Sequence, residues 1–290
     1  MKKLLAILLS MMLVLTGCIA LTACKPDEDP EPVVKVINVK LTDEQYAYAV
    51  TKGNTTLLNG VNAYLDQITD NGTLEAILAK YFENEGTKVG ASLGTPDASK
   101  NNQLVVFTNT PFEPFEFVGD DGKYYGVDME VAQGLATYLN MELCIVEWAN
   151  FDTICEQVNN YPNAIVMAGL TISADRAEIV DFSTAYYEAS QVIIAKADDT
   201  TFDGLTTVAE VEAKLATFTT ATKIGYQNGT TGALYVNGDA DWDFVGIPCS
   251  AEGFQTAALA AQALINGSID YVVVDSAPAV AIVEAMNALN

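Results

Sequence analysis

Residues 168–187, AGLTISADRAEIVDFSTAYY, contain Arg176, the only arginine in a chain whose other fixed cations are lysines. A guanidinium does one thing that an ammonium does poorly: it makes a planar, two-pronged hydrogen bond to a carboxylate or phosphate. A salt bridge that steadies its own loop is the other use of such a residue, and Arg176 alone leaves both open. Its surroundings favour a ligand. Ala168-Gly169 closes a strand-like run, and Thr171 offers a hydroxyl and a backbone N–H. Open α/β sheets bind ligands beyond the carboxyl ends of their strands.

Other chemistry is restricted by composition. No histidine occurs in the 290 residues. This removes the commonest general base, the histidine-dependent nucleophiles and most zinc sites, so neither a metal nor a cofactor is expected. Lys plus Arg number 14 against 38 Asp plus Glu, a formal charge of −24, which repels phosphate backbones and argues against nucleic acid. Cys144 and Cys155 fall in apolar patterns where buried free thiols are the rule, although a bridge between them stays open. Cys249 is the last of the later cysteines.

The N-terminus reads as an export signal. Met1-Lys2-Lys3 precedes the apolar run LLAILLSMMLVL, and two small-residue sites end at Cys18 and Cys24. Both resemble the bacterial lipobox, cut before a cysteine that carries a diacylglycerol. Cys24 is favoured because the polar tether KPDEDPEP follows it, and Cys18 is the alternative. The expectation is a signal over 1–23, a tether over 24–34, and an extracytoplasmic, lipid-anchored protein. An uncleaved membrane anchor is the other reading of the same run.

The elements that must position Arg176 follow from periodicity. Strand-like runs are VVKVINV (33–39), QYAYAV (45–50), QLVVFT (103–108), ELCIVE (142–147), NAIVMAG (163–169), SQVIIAK (190–196), KIGYQ (223–227), DFVGI (243–247) and DYVVVD (270–275). Helical stripes run through Leu58, Val61, Leu65 and Ile68, through Leu74, Ile77, Leu78, Tyr81 and Phe82, through Val127, Val131, Leu135 and Tyr138, and through Phe151, Ile154, Cys155 and Val158. Strands alternating with helices predict parallel α/β sheets in about two lobes. Glu83–Asn102 has no such period and is expected to be a loose linker.

The segment around Arg176 resembles the signature of the family-3 extracellular solute-binding proteins, the polar amino-acid receptors of ABC importers. The likeness extends through FTNTPFEPFEFVGDDGKYYGVDMEVA (107–132), NFDTI (150–154), the DFS-x-x-YY run, the loop Gln227-Asn228-Gly229-Thr230-Thr231, and Asp275 at a strand end. It implies a two-lobed, hinged α/β fold that closes on a free L-amino acid, with an ABC permease as partner and a monomer as the working unit. By this resemblance Arg176 forks onto the ligand α-carboxylate, assisted by Thr171 and by Thr231. Asp275 and the Gly169 carbonyl take the ammonium, and Phe112 and Phe151 sandwich the side chain. Asn109 and Gln227 face the side-chain end, with Thr230 beside Thr231. Each charged contact is worth ~1.5–3 kcal/mol. Core packing for the two phenylalanines, helix capping for Asp275 and turn formation for the threonines are the competing roles.

Two departures stand out. Asn109 occupies a position where relatives that bind cationic side chains commonly carry aspartate, which points to a neutral polar ligand. The second is order. The hinge strand and closing helices that end the family's second half occur here at the front, in residues 35–82. A circular permutant is therefore expected, with lobe I formed by 46–82 and 103–188, lobe II by 35–45 and 189–290, and 83–102 as the join. A flexible coil of that length spans about 25 Å. A dehydratase-like enzyme, for which Glu113 is the candidate acid, and a ligand-sensing lobe are the rival functions.

Overall fold

The computed structural model describes residues 31–289. The expected signal, Cys18, Cys24 and most of the expected tether therefore lie outside the described residues. No described helix is long and apolar enough to cross a membrane.

The chain starts in one sheet, crosses to another and returns. Strand β1 (Val34–Ile37) pairs antiparallel with a later strand, and β2 (Glu44–Tyr46) then carries the chain across to β3 (Ala49–Thr51). The run 45–50, read as one strand, is thus divided at Ala47–Tyr48. Helix α1 (Thr55–Asp70) is opened by the Asn54 side chain, which accepts from Leu57 N at 3.2 Å. It buries Leu57, Val61, Tyr64, Leu65 and Ile68, and α2 (Thr73–Phe82) adds Leu74, Ile77 and Tyr81 to the same core. Each such side chain contributes roughly 1.5–3 kcal/mol on burial, which fixes both helices against the first sheet.

That sheet has the order β7-β4-β8-β3-β9. It is formed by β4 (Gln103–Thr108), β7 (Glu142–Glu147), β8 (Ala164–Val166), β9 (Val180–Phe182) and β3. β4 runs parallel to β7 and β8, while β3 lies antiparallel between β8 and β9. A small hairpin, β5 (Phe117–Val118) with β6 (Tyr124–Tyr125), precedes α3 (Val127–Tyr138), which joins α1 and α2 on one face. A 3-10 helix over Phe151–Asn160 covers the other, where Cys144, Ile154, Cys155 and Val158 are buried. Cys144, Cys155 and Cys249 are free thiols.

The return passes through α4 (Ala174–Ile179) and β10 (Tyr187–Ala189), which pairs antiparallel with β2. The second sheet, β1-β11-β14-β12-β13, uses β11 (Gln191–Lys196), β12 (Lys223–Gln227), β13 (Ser250–Phe254) and β14 (Tyr271–Asp275). Helices α5 (Val208–Leu215), α6 (Thr231–Asn237), α7 (Ala257–Ile265) and α8 (Ser276–Ala288) cover its two faces. Asn287 of α8 accepts from the N–H groups of Val33 and Val34 at 2.9 and 3.1 Å and donates to Val34 O at 3.0 Å.

Two expectations fail. DFVGI is not a strand: Asp243 and Gly246 take φ of 55° and 78°, which breaks an extended run, and Val245 stands 98% exposed. The strand lies at Ser250–Phe254 instead. Nor is 83–102 a loose linker. Ala91 exchanges hydrogen bonds with Tyr124 at 2.8 and 2.9 Å, Gly94 N donates to Ile145 O at 2.9 Å, and Lys88 Nζ lies 5.5 Å from the Tyr81 ring centroid. The segment is a strap held by backbone pairing, which leaves no trace in hydrophobic periodicity. Its glycines permit the approach: a Cβ on Gly94 would lie 2.7 Å from Cys144 Sγ and 3.0 Å from Cys144 Cα. Gly94→Val should therefore destabilise the protein by about 1–3 kcal/mol in urea unfolding, the usual cost of overpacking.

Candidate functional site

Eight of the sequence-selected residues line one cavity. They are Phe112, Phe151, Gly169, Thr171, Arg176, Thr230, Thr231 and Asp275, around about 190 Å³ of space that includes the opening to solvent. The first five come from the first sheet and its loops; the last three come from the ends of β12 and β14 in the second.

Arg176 sits in α4, whose N-cap Ser173 accepts from Arg176 N at 3.2 Å. Its guanidinium donates to Thr171 O at 2.6 Å and to Gly229 O at 2.8 Å, one carbonyl from each side of the cleft. Its central carbon lies 5.4 Å from the Phe151 ring centroid. Phe151 is thus an aromatic floor under the cation. Burial pulls the guanidinium below its usual value, opposed by neighbouring groups that include Glu44 and Asp275. Gly169, at φ 51°, donates its N–H to Asp128 Oδ2 at 2.9 Å. A Cβ there would stand 2.6 Å from the Phe112 ring, so only glycine lets Phe112 close over the cavity.

Thr230 caps α6: its hydroxyl accepts from Ala233 N at 3.4 Å and donates to Gln227 O at 2.8 Å. Asp275 ends β14 almost fully buried, and no side-chain capping bond links it to α8. The Tyr46 hydroxyl donates to its Oδ1 at 2.6 Å.

Asn109 and Gln227 do not line the cavity. Gln227 Nε2 donates to Asn109 Oδ1 at 2.9 Å, while Asn109 Nδ2 donates to Trp148 O at 2.7 Å and Gln227 Oε1 accepts from Ala257 N at 3.2 Å. Both amides are buried and together form a neutral link between the sheets. Gln255 Nε2 adds another link, donating to Ala149 O and to Asn150 Oδ1.

Periodicity missed an acidic hinge. Glu44, Glu116, Asp128 and Asp275 are all buried. Burial pushes Asp128 up to about 6, opposed by hydrogen bonds from Gly169 N, Tyr186 and Tyr48. Asp275 is pushed up to about 7 by burial and then by the charge of Glu44. Burial and the neighbouring acids push Glu116 well above the carboxylate range, and neither of its oxygens has a hydrogen-bond partner. Neither TDEQY around Glu44 nor FEPFEF around Glu116 carries a periodic signal that marks its acid as buried. Among the described residues no cluster of acids and cysteines is placed to hold a metal ion.

Two sheets joined by paired hinge strands, with a cavity at their facing edges, define the two-lobed fold of periplasmic solute-binding proteins. Residues 104–276 match the family described as bacterial extracellular solute-binding proteins, family 3, and the chain belongs to it. Among similar proteins is ABC transporter arginine-binding protein 1 of Escherichia coli (strain K12), 29% identical over 139 residues, 48% of this chain and 51% of that protein. A probable histidine-binding protein of Neisseria gonorrhoeae is 28% identical over 190 residues, 65% of this chain and 64% of that protein. The chain thus spans about half to two-thirds of the length of these relatives. An ancestral arginine-binding protein bound to glutamine matches in structure with a TM-score of 0.54 and 30% identity, over 64% of this chain and 75% of the other. An ancestral amino acid-binding protein, a precursor of cyclohexadienyl dehydratase, gives a TM-score of 0.54 and 28% identity over 64% of this chain and 76% of the other.

The buried acids set the pH response. With folded values raised, the folded chain holds protons that the unfolded chain releases above about pH 4. Their contribution to stability is fully present below that pH and is lost as pH rises through about 6 and 7, the values of Asp128 and Asp275. The calorimetric midpoint of the protein without added solute should fall between pH 5 and pH 8. The fall should survive high salt, which screens surface repulsion but not buried groups. Glu116→Gln should reduce it.

Proposed function

We propose that this protein is the extracytoplasmic binding component of an ABC amino-acid importer, and that it holds a free L-amino acid between its lobes by hinge closure. The observation that carries this reading is the convergence of Arg176, Thr171 and Asp275 from both lobes on one cavity roofed by Phe112 and floored by Phe151. That set offers a fork for a carboxylate and an acid for an ammonium at one small site. Contacts contributed by both lobes favour the closed state when a solute bridges them. The names of the relatives, arginine- and histidine-binding, support the amino-acid class.

The solute is a neutral polar amino acid in this proposal. The Asn109–Gln227 amide pair, which the family resemblance puts toward the side-chain end, has no carboxylate to pair with a cationic side chain. Catalysis is not proposed: Glu113, the acid an enzyme would have used, lies in a separate crevice with Phe82, Tyr187 and Glu284. A lipid anchor at Cys24, or at Cys18, and docking to a permease as a monomer complete the reading.

Circular permutation is part of the same proposal. The family match begins at residue 104, just after the strap. Residues 34–82 lie outside that match, yet they supply the hinge strand β2, the interior strand β3 and two helices of the first lobe. The join at Asn287 brings residues 33–34 beside α8, where a continuous chain would pass.

A thermal-shift screen against the common L-amino acids, followed by calorimetry, tests the function. Arg176→Ala should cost ~2–5 kcal/mol of affinity, as when one partner of a buried charged pair is removed; unchanged affinity would sink the carboxylate assignment. For the permutation, a reordered chain running from 103 to 289, then a short glycine linker, then 33 to 82 should fold and bind the same amino acid. Failure of that chain to fold, with the original order binding normally, would count against it.

A further inference from the structure

Glu44 is the hinge acid to which no role has been given. It is 2% exposed, and neutral donors hold its carboxylate: Thr42 Oγ1 at 2.6 Å and Gln191 Nε2 at 3.0 Å on Oε1, and Thr171 Oγ1 at 2.9 Å on Oε2. Among the described residues no lysine or arginine forms an ion pair with it. A buried carboxylate without a countercharge is costly, and a structure keeps one only where something compensates. Thr171, which Glu44 holds by the hydroxyl, in turn holds Arg176 by its carbonyl. Gln191, which also bonds Glu44, pairs in register with Asp275. Glu44 therefore reaches both charged ends of the cavity through one residue each.

We propose that Glu44 is a positioning residue of the solute site: a buried acid, held by Thr42, Thr171 and Gln191, that orients Thr171 and makes solute binding release a proton from Asp275. The inference rests on the amino-acid reading above. Burial, and after it the charge of Glu44, push Asp275 up to about 7, so it keeps its proton in the unliganded cleft below that pH. An arriving ammonium supplies the positive charge that the two acids lack. The Asp275 O–H bond then breaks, its proton passes to water, and a carboxylate–ammonium pair remains. The other groups facing this point do not titrate there. Tyr46 and Tyr187 on the hinge strands are pushed above 10 and stay neutral. Glu116 is pushed well up, and the lowered Arg176 remains a cation. Asp128 titrates lower, near 6, among Tyr48, Tyr186 and Gly169 N. Glu44, Gln191 and Asp275 stand on β2, β11 and β14, and β11 and β14 pair directly.

The test uses the mature full chain, each common L-amino acid as thermal-shift probe, and calorimetry of the strongest binder in two buffers of different ionisation heat. Near pH 6 binding should release most of one proton, and near pH 8.5 almost none. Affinity should be about tenfold weaker at the lower pH, as linkage to a group titrating near 7 requires. Glu44→Gln should cut the release near pH 6 by about half or more and flatten the affinity profile, and Glu44→Asp should restore both. A purely structural role for Glu44 would change affinity equally at both pH values and leave the release intact, which would overturn the assignment. Buffer-independent heats in the unmodified protein near pH 6 would overturn the coupling itself. No thermal shift with any amino acid would overturn the solute reading, and this inference with it.

Discussion

The hydrogen bond from Tyr46 to Asp275 is the constraint around which the molecule is arranged. Tyr46 ends the strand by which the chain leaves one lobe, and Asp275 ends the central strand of the other. The ring has no exposed surface and packs on Phe112, Phe115, Tyr186 and Tyr187, with the edge of Phe115 5.1 Å away centroid to centroid. Its backbone bridges to Thr171. One side chain thus fixes the position of the cavity roof, the loop before Arg176 and the acid from the facing lobe. Hinge and candidate cavity share the same cluster of atoms, so a change in one is felt in the other without any relay.

That economy has an electrostatic consequence. Four buried acids gather where water scarcely reaches, beside the half-buried Arg176, and among the described residues none of the five forms an ion pair. Protonation solves part of the problem, and hydroxyl donors from Tyr46, Tyr48, Thr42 and Thr171 solve another part. Hydroxyls suit this role because they can rotate to donate or accept as the charge changes. Lysines would have frozen the charges into salt bridges, and in fact the lysine pairs lie elsewhere. Among the described residues, the most buried of them joins Lys80 to Glu130 on the helical face of the first lobe.

Much of this was legible in the sequence, for identifiable reasons. Helices α1 and α2 bury wide apolar stripes, so their period gave them away. The one arginine stood out by chemistry, and the residues around it by their resemblance to a family. What stayed hidden depends on partners far along the chain. Glu44 reads as a surface acid until Thr171 and Gln191 are brought beside it from well over a hundred residues away. Asn109 and Gln227 each suggest a ligand contact, and only their mutual distance shows that they satisfy one another. The strap 83–102 is held by main-chain groups, and DFVGI fails as a strand because two of its residues adopt positive φ; neither property is written in hydrophobicity.

The strap also bears on how the proposed permutation would be compatible with an ordinary core. A sheet registers which strands are neighbours, not which came first. β3 lies between β8 and β9 in the first lobe although it precedes both by over a hundred residues. Loop closure adds only about (3/2)RT ln n of entropy, so the long-range pairing costs little more than a short one once burial supports it. What the proposed permutation would require is a connector that neither strains nor dangles. Backbone pairing of Ala91 with Tyr124 and of Gly94 with Ile145 turns the connector into a further edge of the lobe. Asn287 in turn ties α8 to the first described strand through hydrogen bonds with Val33 and Val34. Each lobe thus has a five-stranded sheet among the described residues, and β2 and β10 pair where the chain crosses, whatever the order in which the chain supplies them.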